Sequence, residues 1–528
     1  MNPISFKHLA TPILLTLGIT LGPGSAFCTR LTAKLPLRRG TSLLLSVLSV
    51  GLLFLSCGHP TPSRDPRPVV AARGDTLHVA PAPEGALLRQ DYRVRVRIPD
   101  GEWRDVSVYG FLVAAGSLPL RHADTTCVAP FSFAGKVEVE VTPLHCSPDS
   151  FRIRPFAAGI EATRQGGTLT FALDKPCYLS IEVNGDTFHN LHLLADSLGR
   201  VPEEADIVFP PGLHEIEGDS LLIPSGTTVY VAPGALVKGW LLVADATDVQ
   251  ILGQGILLPP DSHGGVEVHR SRRVLVDGPL TTRLPIGESD SVEVRNVKVF
   301  SSFPWGDGFN LYACSHIWQH HLWARTSDDC STVYCTRKGF RGSSHHIRVE
   351  DAVFWPDVAH PVMIGLHGDT AKREEVYEVV YDNIDILGQC EHQLDYQGCI
   401  AINDGDNILV HDLTFSRLRI DDLQCGMLFN LRVCFNRKYC TAPGRGIRGI
   451  RFNDISYNGH DPNPSLIIGY DDTRKVEDIR FSNLTINGTH ITDDMAGKPA
   501  WYQTADMARI FVGEHVSGIT FGMTNDEW

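Results

Sequence analysis

From about residue 75 the chain alternates apolar and polar positions in short runs, broken by turn residues roughly every ten positions. The clearest runs are Tyr92-Arg93-Val94-Arg95-Val96-Arg97-Ile98, Val137-Glu138-Val139-Glu140-Val141 and Thr168-Leu169-Thr170-Phe171-Ala172-Leu173. Because strand side chains point alternately to opposite faces, this pattern predicts strands with one wet face, and so a small antiparallel β-sandwich over residues 75–198. With no cluster of carboxylates or histidines in it, this stretch reads as an accessory domain.

Residues 199–528 follow a different grammar. An apolar strand, an Asn or Asp, and a second apolar strand recur, as in Val379-Val380-Tyr381-Asp382-Asn383-Ile384-Asp385-Ile386, with copies beginning at Val292, Ile347, Val379, Ile408, Ile450 and Ile479. Repeats spaced irregularly, by roughly 25 to 55 residues, are the signature of a solenoid whose coils carry loops of different length. An Asn or Asp at a fixed place suits a corner in the left-handed backbone region. A β-propeller would show a more even period. The expected fold is all-β, a right-handed parallel β-helix over 199–528 preceded by the sandwich.

The N-terminus adds two apolar stretches, 11–21 and 41–56. The second follows Arg38-Arg39 and ends Phe54-Leu55-Ser56-Cys57. A basic flank, a short apolar core and a small residue before Cys predict a signal segment over 1–57. It resembles a bacterial lipoprotein signal, which implies that Cys57 is the lipidated first residue of the mature chain. A plain signal or a single-pass anchor is the alternative. The proline-rich stretch 58–74 reads as a tether. Together these features imply a cell-envelope lipoprotein, periplasmic or at the outer-membrane surface, or a secreted protein, with the bacterial membrane as a partner through the lipid.

A formal net charge of -14 argues against nucleic acid as a partner. Nothing in the sequence calls for more than a monomer. Apart from Cys28 and Cys57 there are eleven cysteines, an odd number with no C-x-x-C pair, which argues against a metal site and a full disulfide framework. Cys127 with Cys146, or two among Cys425, Cys434 and Cys440, are candidate bridges.

Candidate chemistry lies in Trp305-Gly306-Asp307-Gly308-Phe309-Asn310 and Arg325-Thr326-Ser327-Asp328-Asp329-Cys330. Asp307 and Asp328 are 21 residues apart, about one coil of a parallel β-helix. Residues one coil apart stack at about 4.8 Å, so three carboxylates should converge on one patch. Adjacent acids cannot share a face of a flat strand, which places Asp328-Asp329 at a bend or strand end. Crowded like charges raise one carboxyl's pKa and leave an acid beside ionised neighbours, as glycoside hydrolysis needs. Taken singly, Asp-Gly and Asp-Asp pairs are usually turn formers. Their one-coil spacing is what favours chemistry.

These residues resemble the Asn-Thr-Asp-Gly and Gly-Asp-Asp motifs of glycoside hydrolase family 28, the polygalacturonases, and of the related family 49, dextranases and isopullulanase. The likeness spans about residues 200 to 525, and the sandwich-then-helix order is similar to family 49. It implies an inverting hydrolase with no cofactor and no metal, with Asp328 as general acid and Asp307 with Asp329 activating water, Asp328 and Asp329 being exchangeable in role. It also implies a wide separation between acid and base, roughly 6.5 to 9.5 Å. His360 falls where the polygalacturonases carry Gly-His-Gly, and its implied role is to hydrogen-bond the acid. A turn histidine is the bland alternative, and His367 a weaker substitute.

Departures from the family shape the substrate. Trp305 replaces a polar contact and could stack on a sugar, although a buried Trp is equally compatible. The Arg-Ile-Lys that grips a uronate is matched by Ala401-Ile402-Asn403, so a carbohydrate substrate of the neutral α-glycan class is expected. Asn403 and Lys338 are expected in the groove. Arg337 and Tyr470-Asp471-Asp472 are further candidates, more simply read as solvated surface. A polygalacturonase-type pectin hydrolase, a polysaccharide lyase and a non-catalytic glycan-binding β-helix are the alternatives.

Overall fold

The structure, a computed structural model, describes residues 75–115, 122–260, 263–302 and 305–523. Cys57, the signal segment and the tether lie outside the described residues.

The alternating runs form two packed sheets. In the five-stranded sheet, Tyr92–Arg97 pairs antiparallel with Val137–Pro143, which pairs with Thr168–Leu173. Val94, Val96, Val137, Val139 and Val141 point inward and are buried, while Arg95 and Arg97 meet Glu140 and Glu138 on the wet face. The other sheet has six strands. It departs from the antiparallel expectation at one place, where Leu191–Ser197 runs parallel to His122–Ala134.

The remaining strands stack coil upon coil in one 27-stranded sheet order whose successive coils pair in parallel. Ile317, Ile347, Val379, Leu413, Ile450, Ile479 and Ile519 form one inward column, each in register with the next. Nearby, Phe415, Phe452, Phe481 and Phe521 stack with centroid spacings of 5.1, 4.8 and 4.8 Å, close to the strand spacing. Four residues after each member of the isoleucine column from Ile317 to Ile479 the backbone turns left-handed, at His321, Asp351, Asn383, Arg417, Asp454 and Asn483, as it does at Asn296 one coil earlier. The Asn/Asp repeat is therefore a column of corners. Asn383 and Asn483 bridge to Asp351 and Asp454 of the preceding coil at 2.5 and 2.7 Å.

The repeat beginning at Ile408 is out of phase. Leu413, not Ile408, stands in the column, and Arg417 takes its corner. The coil at Ile317 turns at His321. Neither corner has the Asn or Asp that marks the others, although Asp412, four residues after Ile408, is itself left-handed at φ 55°. The eleven described cysteines are all free, Cys127, Cys146, Cys425, Cys434 and Cys440 included.

Sandwich and helix share an apolar seam in which Phe111, Val128 and Leu194 meet Phe300, Trp323 and Trp355. Among the described residues no helix is long and apolar enough to cross a membrane.

Candidate active site

The site sits where strands give way to bends. In Phe309–Tyr312 and Ser331–Tyr334, Phe309, Leu311 and Val333 point into the core, leaving Asn310, Tyr312, Thr332 and Tyr334 on the outer face. Asp307 lies two residues before the first of these strands. Asp328 and Asp329 occupy the bend between Ser315–Thr326 and Ser331–Tyr334. The ladder pairs Phe309 with Ser331, and the Gly308 N–H donates to the Asp329 carbonyl at 2.8 Å. Asp307 is thus in step with Asp329, one residue later than the 21-residue interval suggests. A Cβ on Gly308 would come within 2.5 Å of the Cys330 carbonyl oxygen, so glycine is required there for close approach of the two coils.

One oxygen from each of Asp307, Asp328 and Asp329 lies within 4.8 Å of the others. This is closer than the wide acid–base separation expected. Three carboxylates so placed would also suit a hard, oxygen-seeking divalent cation.

Each acid has different company. The Asn310 amide donates to Asp307 Oδ2 at 2.7 Å, and Arg283 reaches the same oxygen at 3.5 Å. Burial raises the Asp307 carboxyl to about 6, with Arg283 opposing the shift and Asp329 adding to it. Asp329 is 4% exposed. Its Oδ1 accepts from His360 Nδ1 at 2.6 Å and from the His360 backbone N–H at 3.2 Å, and its Oδ2 accepts from the Tyr334 hydroxyl at 3.1 Å. Asp328 is half-buried, and its Oδ1 accepts from the Asp329 N–H at 3.1 Å.

His360 is fully buried, and its other nitrogen, Nε2, donates to the Tyr396 carbonyl. Nε2 faces a carbonyl that can only accept and Nδ1 faces a carboxyl, an arrangement that favours the doubly protonated imidazolium. Its pKa is accordingly raised. Burial works against the charge, and the contact with Asp329 outweighs it.

The other sequence candidates separate. Trp305 is 73% exposed beside Asp307, with a left-handed backbone at φ 57°. Asn403, expected in the groove, is on the outer face of Ile400–Asp404 but buried, with its Nδ2 3.9 Å from Met363 Sδ. Loops cover the sheet there, so no sugar can touch it in this conformation. Lys338 is exposed in the turn after Tyr334. Its neighbour Arg337 stacks its guanidinium over the Tyr334 ring at 4.8 Å and acts electrostatically on Asp307. His367 packs edge-on against Tyr334 at 5.0 Å, and burial pushes it down to about 3, a neutral ring rather than a substitute for His360. Asp471 closes a turn onto Thr473 and Arg474, the solvated alternative.

Arg283, Asn310, Tyr334 and Tyr396 escaped the sequence reading. Arg283 carries a usable signal, standing 24 residues, about one coil, before Asp307, whereas Asn310 is three residues after Asp307 and pairs with Thr332, to which its amide donates at 2.9 Å.

No protein-family model matches the sequence, and no curated protein matches it. Among solved structures, a family 28 exopolygalacturonase from Yersinia enterocolitica aligns over 72% of this chain and 96% of that chain, with 8% identity and a TM-score of 0.42. Dex49A from Penicillium minioluteum aligns over 80% of this chain and 93% of that chain, with 14% identity and a TM-score of 0.54. This chain shares with Dex49A its fold, a β-helix built of parallel coils.

Proposed function

We propose that the protein is a glycoside hydrolase acting on a neutral α-glycan by inversion. The observation that carries the hydrolase reading is the convergence of Asp307, Asp328 and Asp329 within 4.8 Å beside an exposed tryptophan, whereas inversion is what the resemblance implies. The fold shared with Dex49A and the resemblance of the two aspartate motifs to families 28 and 49 support it. Asp328 is assigned as general acid on the resemblance of the motifs, its role being exchangeable with that of Asp329. Asp307 and Asp329 orient and deprotonate a water. The oxygen spacing itself is nearer the ~5 Å of retaining enzymes than the ~6.5–9.5 Å of inverting ones, so stereochemistry is the sharpest test.

The experiment is digestion of a panel of neutral and uronic α-glycans by wild type and Asp328→Asn, with the anomeric configuration of the first product followed by NMR. Expected are inversion by wild type and loss of hydrolysis with glycan binding kept in the variant. Retention would overturn the mechanism, and no hydrolysis of any glycan would favour a binding protein. One observation favours an acidic substrate as second reading: Arg337 stands over Tyr334 within electrostatic reach of Asp307. Cleavage of the uronic members alone would select it, and activity lost to a chelator with an ultraviolet-absorbing product would indicate a lyase.

We also propose the envelope location through lipidation of Cys57. Cys57→Ser is expected to move the protein from the membrane fraction to the soluble one.

A further inference from the structure

The bend carrying Asp328-Asp329 and the turn carrying His360 are joined at their bases by a buried ion pair. Arg325, three residues before Asp328, donates from Nη2 to Asp357 Oδ1 at 3.0 Å, and Asp357 is three residues before His360. The same two bases are linked by the Asp357 N–H, which donates to the Thr326 carbonyl at 2.7 Å. Arg325 is fully buried, and most of its remaining donors go to the sandwich. Its Nη1 donates to Asn190 Oδ1 at 2.9 Å and to His192 Nε2 at 3.0 Å, and its Nη2 donates to the Thr187 carbonyl at 2.8 Å. Burial, together with the neighbouring cations, holds His192 neutral, as an acceptor must be. Two guanidiniums lie over the Trp355 ring, Arg325 of the helix at 4.2 Å and Arg154 of the sandwich at 4.5 Å. Asn190 is itself fixed, accepting from Thr126 Oγ1 at 2.9 Å and donating to Ser180 Oγ at 2.8 Å.

We infer that the sandwich is a positioning element of the active site: Asn190 and His192 hold Arg325 and Asp357 so that the Asp328-Asp329 bend and the His360 turn keep their mutual placement. An accessory domain bound only through its apolar seam would not need to supply polar partners to the residue three positions from the proposed acid. A guanidinium presents five donors in a fixed plane, so partners on both domains define its position and orientation, and its ion pair passes that constraint to the second turn. Displacements of about 1 Å are enough to lower rates by about a hundredfold. The inference rests on the hydrolase reading for its kinetic readout alone.

The test uses the full chain with Asn190→Leu, which keeps the branching at Cγ and removes the acceptor, Asn190→Asp, which keeps the acceptor, and Thr126→Val, a milder variant that only loosens Asn190. Amide hydrogen exchange is read at 326–331 and 357–362, with 447–457, several coils away, as internal reference. Asn190→Leu is expected to lose about tenfold in protection at the two turns with the reference unchanged. Its kcat on any glycan the wild type cleaves should fall at least about tenfold while KM stays within about threefold, and Asn190→Asp should restore both. Should Asn190→Leu not fold, the smaller loss in Thr126→Val at the same two turns takes its place. Unchanged protection there, or a loss spread evenly to the reference, would overturn the inference. A wild type that cleaves nothing, with protection still lost at the two turns, would leave the inference standing and remove the hydrolase reading instead.

Discussion

His360 Nδ1 donates to Asp329 Oδ1 at 2.6 Å across adjacent coils, and neither side chain has appreciable contact with solvent. A histidine whose pKa this contact raises and whose second nitrogen also donates pairs as an imidazolium with Asp329 and holds that carboxyl in one orientation. Three consequences concern the acids and their support, and one concerns the exposed edge of the site.

Replacing His360 leaves a buried carboxylate short of a partner. His360→Ala should destabilise by about 1–3 kcal/mol and lower kcat by about a hundredfold, with His360→Gln intermediate because it keeps one donor. The histidine's pKa is raised in the fold, so its contribution to stability is complete below the unfolded value near 6.5 and is lost as pH rises through the folded value. Denaturation followed from pH 6 upward should show wild type and His360→Gln converging at alkaline pH; a constant difference would contradict the ion pair.

Asp307 carries the opposite liability. Burial raises its carboxyl from 3.8 to about 6, so the folded state favours the proton. The stability linked to that proton is complete below the unfolded value and is lost as pH rises through about 6. At one shifted unit per 1.4 kcal/mol, ionising Asp307 costs about 3 kcal/mol near pH 8. Asp307→Asn should therefore abolish activity, by about a thousandfold, while melting higher than wild type above pH 7. The wild-type rate should rise with pH through a limb near 6. Arg283→Met, which removes the cation that opposes the shift, should move that limb upward.

At Gly308 two coils approach too closely for a side chain. A methyl group 2.5 Å from the Cys330 carbonyl must push the Asp329 bend away from Asp307. Gly308→Ala should cost about 1–3 kcal/mol by denaturant melt and lower kcat at least tenfold. A fully active Gly308→Ala enzyme would show that the spacing of Asp307 and Asp329 is not critical.

Trp305 separates substrate binding from folding. Because it is exposed, Trp305→Ala should change stability by less than about 0.5 kcal/mol. Loss of a stacking face worth about 0.5–1.5 kcal/mol should raise KM between about twofold and tenfold with kcat preserved. Trp305→Gly should share that KM and gain stability. Left-handed backbone costs a non-glycine residue about 1–2 kcal/mol, against about 0.5–1 kcal/mol for glycine's freer unfolded chain, leaving a net gain of up to about 1.5 kcal/mol.

The sequence alone determined the class of fold and the place of the acids. Apolar columns and Asn/Asp corners are local signals, because each coil must present the same inward residues and turn at the same place, so Val292, Ile347, Val379, Ile450 and Ile479 are legible in one dimension. The same holds for Asp307 and the Asp328-Asp329 pair, whose one-coil interval is a length along the chain. The pattern failed where a corner was filled by a residue that does not advertise it, His321 or Arg417, since left-handed backbone can be imposed by the coils on either side. Only the tertiary structure decided that Asp307 stands in step with Asp329, that loops bury Asn403, and that Arg283, Tyr334 and Tyr396 surround the acids. Loop length varies from coil to coil, so what a loop covers is not periodic. Nor could the chain reveal that Asn190 and His192 of the sandwich reach Arg325, 135 and 133 residues away. A hydrogen bond between domains depends on how two finished surfaces meet, and no spacing in the sequence encodes it.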